Sequence, residues 1–302
     1  MEKQESPKRI ILLIVASFVT LIASFYFDLL VTAIAGSWAY ITEVKAGLLA
    51  ISALILLFVE KGDKPVMRYA TVLFSVSLST LLNEYLQTLP WVNRWTASTT
   101  FLGNIGGNVL LKLLSAVIIV LFLLALFPKP KDAYLVPGDL KVKAEPIRFL
   151  GISKNWVSWG RLALVSGGLI AAVTVGLAII TVTGTGTSPD FSLLLKVLPF
   201  LFILAPVNSF CEGIMCRNAV VGPLGRTFPK EAVMILSAVY FGSFHYYGAP
   251  GGIVGVVMSS ILGWFMARSL FETKGFLAPW IIHAMQDFVI FMTLALLGGY
   301  TF

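Results

Sequence analysis

The residues able to do chemistry gather in the last third of this chain. Its two histidines, His245 and His283, both fall there, inside otherwise apolar segments. Each lies four residues from a partner on the same helical face, Phe241 before His245 and Asp287 after His283. Glu212 and Arg217 mark the end of the apolar segment that precedes them. Ionisable groups are costly inside a bilayer, so those that persist there usually face a polar interior and mark a site. An imidazole titrates near neutral pH, and a glutamate beside two imidazoles in a cavity can take a proton from water and hold a developing oxyanion. Amide hydrolysis needs both acts. Each residue also has a plainer reading. A histidine can simply bond a neighbouring helix, Glu212 can reach the interface or pair with Arg217, and Asp287 can be a packing partner of His283. Their concentration in adjacent segments favours a site.

The elements that must position these groups are membrane helices. Of the 302 residues, 58% are hydrophobic and 12% charged, against about 25% charged in soluble domains. The apolar residues form runs near the roughly 20 residues needed to cross ~30 Å of hydrocarbon. Candidate spans are 10–27, 46–60, 67–88, 108–128, 161–183, 192–213, 231–248, 251–270 and 279–299. The expected fold is therefore all-α, a polytopic transmembrane bundle of nine spans. Eight is the alternative, because 46–60 is short and 29–42 is apolar enough to lie in the interface. The first run exceeds the ~7–15 residue core of a signal peptide and reads as a retained helix.

Lys and Arg alternate along the chain. The tail (Lys3, Lys8, Arg9) and the connections holding Lys61 and Lys64, 129–160, Arg217 to Lys230, and Arg268 with Lys274 are basic, while those between carry Lys45, Arg94 or nothing. The positive-inside rule then puts the N-terminus in the cytoplasm. The long polar insert 129–160 divides N-terminal helices, 1–128, from a C-terminal bundle, 161–302. The net charge of +7 is spread over such connections, which argues against a nucleic-acid surface. Cys211 and Cys216, five apart, read as small core residues without a disulfide.

Three segments taken in order resemble the signature of the CAAX-protease and bacteriocin-processing family of glutamic-type intramembrane proteases. That signature reads EExxxR, FxxxH and HxxxN or HxxxD. Here the segments are Glu212-Gly-Ile-Met-Cys-Arg217, Phe241-Gly-Ser-Phe-His245 and His283-Ala-Met-Gln-Asp287, within about 193–299. The resemblance implies an intramembrane endopeptidase without a cofactor. In it Glu212 and His245 activate water, His283 and Asp287 stabilise the oxyanion, Arg217 is structural and Phe241 packs beside the site. It implies a lipid bilayer and a peptide or lipidated protein as partners; the positive-inside asymmetry fits a prokaryotic cytoplasmic membrane with the site opening to the cytoplasm, and an endoplasmic reticulum protein would look similar. Residues 1–190 carry no resemblance. The second glutamate of the first motif is Gly213 here, which leaves Arg217 to find another acceptor. If that acceptor is Glu212, the base is no longer free, and the chain is a non-cleaving scaffold or immunity protein.

Two further rivals stand. Zinc held by His245, His283 and Glu212 or Asp287 would give a metalloprotease, though no HExxH occurs. A proton-coupled transporter would also use intramembrane Glu, Asp and His, against which stand the lack of an internal repeat and the clustering at one end of the chain.

Overall fold

The computed structural model describes residues 7–148, 151–152, 156–185, 188–247 and 251–302. Lys3 and Lys154, two of the basic residues expected to set orientation, lie outside them. Among the described residues the chain is helical, with isolated β-bridges and no β-strand. The helices are α1 (Pro7–Ala23), α2 (Phe25–Ala35), α3 (Ile41–Val59), α4 (Pro65–Thr88), α5 (Pro90–Thr96), α6 (Gly107–Leu126), α7 (Trp159–Thr185), α8 (Phe191–Glu212), α9 (Ala219–Leu224), α10 (Lys230–Ser243), α11 (Gly252–Thr273) and α12 (Leu277–Leu297). Among the described residues seven helices are long and apolar enough to cross a membrane, eight when the bent pair α1 and α2 counts as one span. The chain is an integral, multi-pass membrane protein.

Two expected spans differ in detail. The first breaks at Ser24, whose backbone is extended (ψ 166°) and whose side-chain Oγ caps α2 by accepting from Tyr26 N–H, and the two helices meet at 67°. The expected span 231–248 is a helix of 14 residues. At 1.5 Å per residue it rises about 21 Å, short of the hydrocarbon thickness.

The chain forms two compact units. One comprises residues 1–81, 117–135 and 214–271, the other 82–116, 136–213 and 272–302. In the first unit α1 packs on α2, α3 and α10. The Lys45 ammonium of α3 meets both Asp28 oxygens at 2.9 Å and the Ser24 carbonyl at 3.2 Å, tying α3 to the break between α1 and α2. The Phe25 ring meets Phe244 edge-on at 5.2 Å, in the turn after α10. Asp132, before α7, pairs with Arg226, after α9, at 3.0 Å.

In the second unit α12 packs along α7 and α8. Lipid offers no hydrophobic drive between helices, so close approach and interhelical hydrogen bonds hold them. Gly167 of α7 permits the approach: a Cβ there would stand 2.8 Å from Met285 Sδ and 3.4 Å from Ile282 Cα. Gln286 donates to Thr174 across the same seam at 2.8 Å. Trp280 Nε1–H donates to the Pro206 carbonyl at 2.8 Å, which fixes α12 against α8. The connections pair at both ends. Asp139 N–H bonds the Thr273 carbonyl and Phe276 N–H the Val136 carbonyl at one end; at the other, Asp190 N–H bonds the Leu296 carbonyl and Phe101 N–H the Thr301 carbonyl. An apolar cluster of Phe101, Val109, Leu193, Val197, Leu201, Ala205, Phe291 and Ala295 fills this unit. Cys211 of this unit and Cys216 of the first are both buried.

Candidate active site

Within the second unit, α8 and α12 bring three of the expected residues into contact. Trp280, His283 and Asp287 follow at i, i+3 and i+7, one face of α12. Because the Trp280 bond fixes that face against α8, His283 Nε2 lies 3.4 Å from Glu212 Oε2 and 3.4 Å from Asp287 Oδ1. His283 (3% side-chain exposure) and Asp287 (6%) are enclosed, whereas Glu212 keeps 21%, so Glu212 is the member that water or substrate can reach.

Two more residues complete the cluster, and the sequence reading missed both. Lys112 Nζ of α6 stands 2.6 Å from Glu212 Oε1 and 2.8 Å from Asn208 Oδ1. Asn208, one turn before Glu212 on α8, donates from Nδ2 to Glu212 Oε1 at 3.1 Å and to Asp287 Oδ2 at 2.9 Å. An ammonium only donates and a carboxylate only accepts, so the neighbours fix the Asn208 amide with its oxygen toward Lys112. The same logic puts a proton on His283 Nε2, which faces two carboxylates. The signal for Lys112 was present: it is the one charged residue in the candidate span Leu102–Leu126, whose mean hydropathy is 3.0. An isolated charge in such a segment is the sign that singled out Glu212.

Arg217, Phe241 and His245 lie together in the first unit. Arg217 is buried in the π-helical turn Gly213–Asn218, with its guanidinium 5.8 Å from the Phe241 ring centre and Nη1 3.3 Å from Met266 Sδ. His245 falls in the turn after α10 rather than within the helix. The turn keeps Phe244 in helical geometry (φ −68°, ψ −13°), so the expected four-residue pairing persists. The His245 and Phe241 rings sit 4.6 Å apart, and His245 Nδ1 is 3.1 Å from the Phe241 carbonyl. Gly213 adopts right-handed helical angles at the end of α8 (φ −59°, ψ −48°). The candidate span that holds Glu212 runs from Phe191 to Leu224, past the 192–213 read from the sequence, with Pro199, Pro206 and Pro223 inside it.

Taken alone, a carboxylate beside an imidazole N–H that also faces a second carboxylate can accept a proton from water and offer a donor to a developing negative charge. Among the described residues no group of three His, Cys, Asp or Glu is arranged to hold a metal ion. Residues 194–289 match the family model for Rce1-like proteins, described as type II CAAX prenyl endopeptidase Rce1-like. No curated protein and no solved structure matches the chain. The matched stretch contains Asn208, Glu212, Arg217, Phe241, His245, His283 and Asp287. Over these residues, about a third of the chain, the protein is similar to the Rce1-like CAAX-protease family.

Proposed function

We propose that this protein is an intramembrane endopeptidase that hydrolyses a peptide bond in a membrane-associated peptide or lipidated protein, with Glu212 as its general base. The observation that carries the reading is the contact between Glu212 Oε2 and His283 Nε2 in a polar cluster set among apolar helices, with Glu212 the most accessible of the three acidic and imidazole groups. Glu212 takes a proton from water as the oxygen attacks the substrate carbonyl. The carbonyl electron pair moves onto its oxygen, and the His283 Nε2–H, which lies beside Asp287, donates to that oxyanion. Collapse of the intermediate breaks the C–N bond, and the proton held by Glu212 goes to the leaving amine. By its likeness to the second motif of the family, His245 is proposed as a further catalytic residue. Arg217 and Phe241 support it structurally.

The basic connections support a cytoplasmic N-terminus and 129–160 segment, and with them a site that opens to the cytoplasm of a prokaryotic cell.

A second reading rests on one contact. Lys112 engages Glu212 at 2.6 Å, and Gly213 stands where the family has a second glutamate; an ammonium that holds the base shut would make the protein a non-cleaving scaffold. Purified protein assayed on a membrane-peptide library decides between them. Wild type cleaves and Glu212→Ala does not if Glu212 is the base. Cleavage undiminished in Glu212→Ala excludes the proposed mechanism, and a silent wild type favours the scaffold.

A further inference from the structure

Glu212 uses its two carboxylate oxygens differently. Oε1 receives the Lys112 ammonium at 2.6 Å and the Asn208 amide at 3.1 Å, while Oε2 faces His283 at 3.4 Å. The short contacts fall on one oxygen, the long one on the other. We infer that Lys112 and Asn208 are positioning residues that anchor Glu212 through Oε1 and thereby present Oε2 as the oxygen that exchanges the proton with water. The inference rests on the reading of Glu212 as a base and names the device that aims it.

The geometry favours aiming over blocking. An anchored carboxylate oxygen leaves the other with its own lone pairs, and a contact of 3.4 Å is too long for Oε2 to be held by a strong hydrogen bond. Asn208 makes the anchor a network: its oxygen accepts from Lys112 while its NH₂ spans Glu212 Oε1 and Asp287 Oδ2. One amide therefore sets the separation of the two carboxylates on α8 and α12. Lys112 also balances charge. Two carboxylates with one imidazole in an apolar surround need a cation, and the ammonium reaching in from α6 supplies it. Asn83 supports that part of α6, donating to the Leu111 carbonyl at 3.3 Å and to Ser115 at 2.8 Å, on either side of Lys112 in sequence.

The test compares Lys112→Met, Lys112→Arg and Lys112→Ala with wild type, in proteoliposomes, on a peptide the wild type cuts. Lys112→Met is expected to lower kcat about 10- to 100-fold with KM nearly unchanged, the loss typical of a group that orients a reacting ligand. Lys112→Arg recovers part of the rate, and ethylammonium added to Lys112→Ala restores turnover, which a purely architectural lysine would not allow. A Lys112→Met enzyme as fast as wild type, or faster, overturns the inference; a faster one makes the ammonium an inhibitory clamp. A melting cycle on the same protein serves independently of turnover. Lys112→Met and Glu212→Gln each lower the melting temperature, and the double variant melts above the sum of the two losses. Strictly additive losses overturn the anchor. Coupling without any wild-type cleavage leaves the anchor standing and removes the endopeptidase reading, so the two failures are distinguishable.

Discussion

Two lysine–carboxylate pairs sit among the apolar helices of this protein, and they are built to different ends. Lys45 meets Asp28 through both carboxylate oxygens at 2.9 Å, adds the Ser24 carbonyl at 3.2 Å and lies 5.5 Å from the Phe25 ring centre. Three acceptors meet three N–H donors, and both oxygens of Asp28 serve one ammonium. Lys112 touches only one oxygen of Glu212, shares its remaining reach with Asn208, and leaves the second oxygen to an imidazole. The first arrangement satisfies its charges locally and fastens α3 to a break in the N-terminal helices. The second spreads charge over five side chains on three helices and keeps one carboxylate oxygen loosely held. Burial of a charge pair is therefore no sign of chemistry by itself. What separates the two is whether a titratable neighbour faces an oxygen that the cation does not occupy.

That contrast can be broken or sharpened by substitution. The largest expected effect is at His283: replacing it with Ala removes the donor aimed at the oxyanion and should lower kcat/KM by about 10²–10³-fold, measured on a cleaved peptide. Next, Asn208→Leu removes the amide that links the two carboxylates and should lower kcat about tenfold, the low end for a group supporting a reactive one. A comparable loss for Asp28→Asn would erase the distinction. Asp28→Asn should act on stability instead, costing about 3 kcal/mol by leaving Lys45 without its counter-charge; a thermal melt in detergent reads it, while cleavage per folded molecule stays at the wild-type value. The smallest effect is expected from a chelator. Cleavage unchanged after exhaustive chelation fits a carboxylate base, and activity lost with the chelator and restored by zinc would move the site to metal chemistry.

Much of the site was legible because charge inside an apolar run is rare and helical spacing is regular. Glu212, His283 and Asp287 stand out on that ground, and the four-residue step from His283 to Asp287 becomes a 3.4 Å contact. Lys112 escaped because basic residues had been read as signals of orientation, a role that fits those in connections and not one within a span. Asn208 escaped because a neutral amide makes no charge signal, and its value depends on the helix opposite. The helical class followed from hydropathy. The break at Ser24 did not, since a serine in an apolar run reads equally as a packing residue until its side chain is seen to cap α2. Nor did the short α10, because Phe244 to Tyr247 are as apolar or aromatic as a helix would be and only their turn geometry ends it.

The most direct measurement sets the two pairs side by side. Wild type, Glu212→Gln and Asp28→Asn are reconstituted into proteoliposomes and assayed for cleavage of one membrane peptide, normalised to folded protein. The account predicts no detectable cleavage by Glu212→Gln and a wild-type rate for Asp28→Asn. Cleavage by Glu212→Gln at the wild-type rate would contradict it.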